Sequence, residues 1–182
     1  MGSSGHELAA ARRHERDKYR TLYTRPTPYG SQQHGRAAQS LIQQLQPASL
    51  LDVGCGDNSF CRWLKEQGIH AVGVDFAHPR ADVRASAHAL PFADDAFDWL
   101  TAFDVLEHLL PGEIAGVLRE FGRVARTGWV FSICYRDSTT RVAGETLHPT
   151  VRSEAWWTSR LERHIAVHRH EGYLWGRLES AS

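Results

Sequence analysis

"LLDVGCGDNSF" (residues 50–60) sets an apolar run, an acid and two glycines one residue apart ahead of a polar turn. The apolar run is short and reads as a buried strand. "SFCRWLKEQG" behind it gathers Phe60, Trp63 and Leu64 on one side and stops at Gly68, as a short helix does. Residues 54–58 therefore lie where a strand hands over to a helix, and a helix N-terminus presents free N–H groups there. Glycine permits positive φ and lets a ligand approach the backbone closely. The turn reads as a ligand cradle at the carboxyl end of the first strand, where open α/β sheets bind ligands.

Working outward, strands alternate with helices. "AVGVD" (71–75) is a second buried strand, "VRAS" (83–86) a weak third, "FDWLTAFD" (97–104) a fourth and "GWVFSICY" (128–135) a fifth. "PGEIAGVLREFGRVAR" (111–126) is a helix opening on Pro111, a favoured first-turn residue, and "SEAWWTSRLERH" is a helix capped by Ser153. "IAVHRHEGYLWGRL" gives two strands around Glu171-Gly172. The pattern predicts an α/β Rossmann-like sandwich with a mainly parallel sheet and a C-terminal antiparallel hairpin. Only "FAHPRAD" joins the second and third strands, too short for a helical crossover of at least ~10–12 residues. Ahead of this domain (48–182), residues 1–47 form a helical segment. "HELAAARRHERDKYRTLY" is a charged helix with a weak apolar side, "TRPTPYGS" breaks it, and "GRAAQSLIQQLQ" is a second helix.

The 182 residues carry 21 basic and 21 acidic side chains, and the zero net charge disfavours nucleic acid as a partner. Three cysteines without paired spacing suggest a reducing, cytoplasmic setting. No apolar stretch reaches the ~20 residues of a membrane span, and "MGSSG" shows no signal region.

The ligand of the cradle is narrowed by what the turn lacks. Ser59 stands where the dinucleotide fingerprint needs its third glycine, and there is no phosphate-loop motif. Asp75 closes the second strand nineteen residues after Gly56, where an acid accepts hydrogen bonds from ribose hydroxyls. A ribose without a tightly held pyrophosphate fits.

Taken in order, "LLDVGCGDN", "VGVD", "ALPFADDAFDWLTAFDVLEHL" and "LREFGRVAR" resemble the class I S-adenosylmethionine-dependent methyltransferases, nearest to small members with a "DVLEHL" signature. The resemblance covers about residues 48–135 well. It implies S-adenosylmethionine as cofactor and S-adenosylhomocysteine as product. It implies that Asp52 and the turn Gly54-Cys55-Gly56 hold the methionine part, Asp75 the ribose, and Phe76, Ser86 and Ala87 the adenine. Phe103 and Asp104 would close the cofactor floor, with Glu107 and His108 on the methyl-transfer side. Two departures stand out: Asn58 replaces the family's usual glycine, and Ser86 replaces an acid that often holds the adenine amino group.

For the acceptor, His148 in "GETLHPTVR" and His108 are candidate general bases, since histidine titrates near neutrality; Glu107 is a third catalytic candidate. The short connections leave residues 1–47 and 136–152 to build the acceptor site, which suits a small molecule or a carbohydrate, with O-methylation as one outcome. Tyr29, Gly30 and His34 are candidate lid residues. Trp156, Trp157 and Trp175 read as packing, and "RRHERDK" as a solvated face. The alternatives are a cofactor-binding module without turnover, a nicotinamide enzyme disfavoured by the missing glycine, and a metal-assisted RNA 2′-O-methyltransferase. The last follows because two acids and two histidines, Asp104, Glu107, His108 and His148, could bind a divalent metal, and Asp104-x-x-Glu107-His108 resembles the E-x-x-E-H metal site of small-RNA enzymes. No metal is assigned, because Asp104 is needed by the cofactor floor.

Overall fold

A computed structural model describes residues 3–24, 35 and 37–178. In chain order the elements are α1 (Ser3–Tyr23), α2 (Gln39–Leu45), β1 (Ser49–Val53), α3 (Ser59–Glu66), β2 (His70–Asp75), β3 (Val83–Arg84) and β4 (Phe97–Phe103). After a 3₁₀ turn (Leu106–His108) come α4 (Ile114–Val124), β5 (Ala125–Ser132), β6 (Arg141–Val142), β7 (Glu145–Thr146), α5 (Glu154–Leu161), β8 (His168–His170) and β9 (Tyr173–Arg177). Seven strands form one sheet in the order β3-β2-β1-β4-β5-β9-β8. The pairs β3-β2, β2-β1, β1-β4 and β4-β5 are parallel, and β9 runs antiparallel to both β5 and β8. The chain winds outward from β1 in one direction and from β4 in the other, so a crevice opens between their carboxyl ends. Among the described residues no helix is long and apolar enough to cross a membrane.

A parallel sheet covered on both faces needs strands that are apolar throughout, and β1 shows how one short run serves two layers. Leu51 and Val53 join Val74, Leu100 and Ala102 on one face, against Val117, Leu118, Phe121 and Val124 of α4 and Trp157 and Leu161 of α5. Leu50 joins Ala71, Trp99 and Val130 on the other, against Leu41 and Ile42 of α2 and Phe60, Cys61 and Leu64 of α3. A third, smaller cluster lies apart from the sheet. Tyr19 and Leu22 of α1 pack with Ala77, Val142 and Leu147, bringing α1 and the β6-β7 hairpin together.

Local signals explain most boundaries. Ser153 accepts a hydrogen bond from Trp156 N (3.3 Å) and starts α5. Glu171 and Gly172 both have positive φ (48° and 88°) in the two-residue turn that closes β8-β9, the conformation of a hairpin that matches strand twist. The link from β2 to β3 contains no helix, and β3 is only two residues long. Several boundaries differ from the sequence reading; β3 ends at Arg84 rather than Ser86, and β5 at Ser132 rather than Tyr135. Helix α4 begins at Ile114, because Pro111 and Gly112 form a separate turn before it. Its end passes straight into β5, which runs three residues earlier than the apolar run suggests: Ala125 already pairs with Phe97. The β6-β7 hairpin has no counterpart in the sequence reading, since two-residue strands leave no periodicity to find.

The "RRHERDK" face of α1 is not wholly solvated. Arg13, His14 and Asp17 are exposed, but Lys18 is buried and donates to Glu15 Oε1 (2.8 Å) and to the Thr146 carbonyl (2.9 Å). Arg12 Nε donates to Glu113 Oε1 at 2.5 Å. These charges hold α1 and the hairpin over the carboxyl ends of the strands.

One glycine fixes how closely the turn after β1 sits on β2. A Cβ on Gly73 would lie 2.1 Å from Asn58 Oδ1 and 2.9 Å from Cys55 Sγ. Gly73→Ala is therefore expected to destabilise the protein by ~1–3 kcal/mol, the usual cost of overpacking, measured by urea unfolding. A stability equal to the wild type's would show that the turn is free to move away from β2.

Candidate active site

A cavity of about 410 Å³ lies at the crevice between the carboxyl ends of β1 and β4. That is a usual size for a small-molecule site. Its wall includes Asp52, Val53, Gly54 and Gly56 from β1 and its turn, Val74, Asp75 and Phe76 from β2, and Ala85, Ser86, Ala87 and His88 after β3. Phe103, Asp104, Val105, His108 and Leu109 follow β4, and Arg12, Glu15, Tyr19 and Tyr23 come from α1, with Glu113 completing it.

The turn is built from the two strands beneath it. Gly54 N and Cys55 N both donate to the Val74 carbonyl (2.7 and 3.0 Å). Gly54 has φ 75°, and a Cβ there would lie 2.4 Å from Val105 Cγ2. The glycine therefore lets Val105 come down beside the cradle, and both residues line the cavity. Asn58 adopts φ 63° and precedes the first residue of α3, a conformation asparagine tolerates better than most residues. Cys55 is buried, its side chain points toward Gly73, and it does not line the cavity. What it offers the turn is backbone.

Asp75 is 3 % exposed and is the hub of the cradle. Its Oδ1 accepts from Ala77 N and His78 N (both 2.8 Å); its Oδ2 accepts from Gly56 N (3.2 Å) and from the Tyr23 hydroxyl (3.3 Å). Asp52 is equally buried and accepts from Thr101 Oγ1 at 2.7 Å. Burial pushes its pKa up to about 7, opposed by the Thr101 hydrogen bond and reinforced by the nearby Asp75.

On the adenine side expected from the resemblance, Phe76, Ser86 and Ala87 all line the cavity. Ser86 Oγ is hydrogen-bonded to His88 Nδ1 (2.7 Å), which brings His88 into the site. Phe103 packs edge-on against Phe60 and Tyr173. Asp104 takes φ 52° and accepts from Ser132 Oγ at 2.9 Å. A positive φ on a non-glycine residue at a cavity wall is strain held in place by its surroundings.

The catalytic candidates separate. His108 lines the cavity; Glu107 and His148 lie beside it without lining it. His108 Nδ1 is 2.6 Å from the Leu147 carbonyl, and the Tyr19 hydroxyl lies against the same nitrogen. A carbonyl only accepts, so Nδ1 carries the proton and Nε2 keeps its lone pair. Burial lowers the His108 pKa to about 4. Glu107 is fully buried and accepts from Cys134 N (3.0 Å); burial first, and Asp104 next, push its pKa up to about 8. His148 is edge-on to His108, with ring centroids 4.7 Å apart.

Trp157 is fully buried in the core, Trp156 stacks under Arg160, and Trp175 lies against Trp99; none lines the cavity. Tyr29, Gly30 and His34 lie outside the described residues. Sequence reasoning missed Arg12, Glu15, Tyr19, Tyr23, His88 and Glu113. Only the Ser86-x-His88 spacing gave a local hint; the others reach the site through the packing of α1 and α4.

Comparison with known proteins gives this architecture a class. The protein superposes on a 1,6-didemethyltoxoflavin-N1-methyltransferase from Burkholderia thailandensis, solved with its substrate and S-adenosylhomocysteine, with a TM-score of 0.74 at 19% identity over 96% of this chain and 90% of that one. It also superposes on the magnesium protoporphyrin IX methyltransferase of Synechocystis PCC 6803 with bound S-adenosylhomocysteine, with a TM-score of 0.61 at 15% identity over 90% and 94% of the two chains. At those identities the likeness concerns the fold, that of the Rossmann-like methyltransferases. The methyltransferase-domain family model matches residues 29–175, and the chain belongs to that family of S-adenosylmethionine-dependent enzymes. Among curated relatives, a demethylmenaquinone methyltransferase from Roseiflexus sp. (strain RS-1) is 34% identical over 124 residues, 59% of this chain and 48% of that protein. A malonyl-[acyl-carrier protein] O-methyltransferase from Pseudescherichia vulneris is 30% identical over 107 residues, 51% and 42% respectively. The chain spans about half the length of the curated relatives it matches.

Two measurements check the electrostatics. Because the folded-state pKa of Asp52 lies above its ordinary 3.8, its contribution to stability is intact below pH ~4 and is lost as pH rises through about 7. Asp52→Asn keeps an acceptor for Thr101, so it should gain on the wild type as pH rises from about 5 to about 8, by roughly 2.7 kcal/mol at ~1.4 kcal/mol per unit over the two units below pH 7; a pH-independent gap in urea midpoints would contradict the buried-carboxyl assignment. In nitrogen-labelled protein the His108 ring should show the Nδ1–H tautomer and stay neutral through the ordinary histidine range, protonating only near pH 4. Titration near 6.5 would place the ring in water.

Proposed function

We propose that this protein transfers a methyl group from S-adenosylmethionine to a small-molecule acceptor in the cavity under α1. The observation that carries the reading is the buried Asp75 carboxylate. It closes β2, accepts the Gly56 N–H of the adjoining turn, and faces a cavity of cofactor size. The residues fit the group: Gly54 and Gly56 keep side chains out of the cradle, and Oδ2 of Asp75 already accepts one hydroxyl, that of Tyr23.

In this reading Asp52 and the backbone of Gly54, Cys55 and Gly56 hold the methionine part, with the Asp52 carboxylate facing its ammonium. Asp75 takes the ribose hydroxyls in exchange for Tyr23. Phe76, Ser86 and Ala87 border the adenine, and Ser86 with His88 supplies the polar edge an acid provides elsewhere in the family. Phe103 and Asp104 form the floor. When bound, the cofactor supplies a methyl group already activated on a sulfonium.

The chain's own work is alignment and exclusion of water, and ordering of reactants alone is worth ~7–11 kcal/mol in well-oriented cases. Helix α1 and the hairpin serve as the lid, through Tyr19, Tyr23, Glu15 and Arg12. The neutral His108 presents Nε2 as a hydrogen-bond acceptor, which orients an O–H or N–H of the acceptor. A ring that protonates only near pH 4 is a weak base, so the acceptor must lose its proton readily, as an enol, a phenol or an activated amine does. His148 and Glu107 act behind His108. O-methylation is the finer proposal, favoured by a relative named as an O-methyltransferase. The two curated relatives described are named for a quinone precursor and a malonyl thioester, so the carbohydrate acceptor expected from the sequence has no support among them.

Titration calorimetry with S-adenosylhomocysteine tests the cofactor site. The wild type should bind in the micromolar range or tighter; Asp75→Ala should weaken binding by at least about 100-fold, roughly 2.7 kcal/mol, and Tyr23→Phe should change it little. A folded wild type that binds neither S-adenosylmethionine nor S-adenosylhomocysteine would overturn the proposal. Binding without transfer to any acceptor would favour the non-catalytic module.

A further inference from the structure

We propose that Glu107, His108 and His148 form a binding site for a divalent transition-metal ion beside the cavity. One ligand atom from each residue lies within 4.8 Å of the others. Two histidines and one carboxylate make a recognised donor set, used by zinc and by other first-row divalent ions with one or more positions left open. The nitrogen content selects against magnesium and calcium, which take oxygen ligands.

Three further observations support the site. Glu107 is 0 % exposed; one of its oxygens accepts from Cys134 N, while Oε2 is buried with no hydrogen-bond partner. A buried carboxylate oxygen left without a partner is costly, and a cation supplies the missing one. Both histidines are oriented as metal ligands usually are, with Nδ1 on a backbone carbonyl: that of Leu147 for His108 (2.6 Å) and that of Arg136 for His148 (2.7 Å). This fixes the tautomer and leaves Nε2 as the donor on each ring. The backbone is braced as well, since Thr150 N donates to the Glu107 carbonyl (3.2 Å) and joins the two ligand-bearing loops. Metal–ligand bonds of ~2.0–2.2 Å put the donors of a tetrahedral site about 3.4 Å apart, so binding closes the present separations by up to about 1.4 Å.

An ion held here ties the 3₁₀ turn after β4 to the loop after β7. Through His108 it adjoins the cavity wall against which Tyr19 of α1 rests. An ion on His108 Nε2 takes the lone pair that the metal-free protein offers the acceptor, so the inference stands apart from that role, and its test reads metal binding directly. The 182-residue protein, stripped with a chelator, is titrated with Co²⁺ while its visible d–d absorption and its melting temperature are followed. The expected result is one ion per chain, intense bands of a low-coordinate site and a raised melting temperature. In both Glu107→Gln and His148→Ala affinity should fall at least tenfold, and in the surface variant His168→Ala it should not change. Circular dichroism and retained S-adenosylhomocysteine binding establish that each variant is folded; if Glu107→Gln is not, His148→Ala decides. No saturable binding, or binding that a folded His148→Ala leaves intact, would overturn the proposal.

Discussion

The Asp75 carboxylate is the constraint on which the site depends. It accepts from Gly56 N after β1, from Ala77 N and His78 N in its own turn, and from Tyr23 of α1. Three separate parts of the chain thus converge on one buried acid. The strands beneath are largely apolar, and the polar side chains they bring to the crevice are Asp52 of β1, held by Thr101 of β4, and Asp75 itself at the end of β2. The glycines follow from the same closeness: Gly54 leaves room for Val105, and Gly73 leaves room for Asn58 and Cys55.

The roof is held differently from the floor. Below, the sheet is secured by large buried side chains, with Trp99, Trp129, Trp157 and Phe121 among the most enclosed. Above, α1 is secured by a small apolar cluster and by charges, among them Arg12 with Glu113 and Lys18 with Glu15 and Glu145. A polar roof over an apolar floor opens at less cost than a packed core, because its partners are readily replaced by water. On the proposed function, that suits an element that has to admit a cofactor and an acceptor.

Buried acids mark the working region. Asp52 and Glu107 are both held above the usual carboxylate range, chiefly by burial. Such groups cost stability in their charged form and are retained where a ligand compensates. On the proposals made above, the ligand is an ammonium group for Asp52 and a metal ion for Glu107.

The legible part of the protein was local. The run from Leu50 to Val53, the Gly54-x-Gly56 turn, Asp75 at the end of β2 and the Glu171-Gly172 hairpin follow from strand length, turn chemistry and position, all written in neighbouring residues. The lid charges were misread as a solvated face, and the β6-β7 hairpin was invisible, because partners such as Glu113 and Thr146 lie far from α1 in the chain. His108 and His148 were both singled out in the sequence, but nothing in it placed their rings edge to edge or left Glu107 Oε2 without a partner. The sequence by itself determined the alternating α/β framework and the glycine turn that closes β1, since hydrophobic periodicity and glycine turns act over short range. Only the tertiary structure decided which charges roof the cavity and which three side chains meet beside it, since contacts between distant segments leave no periodic trace in either one.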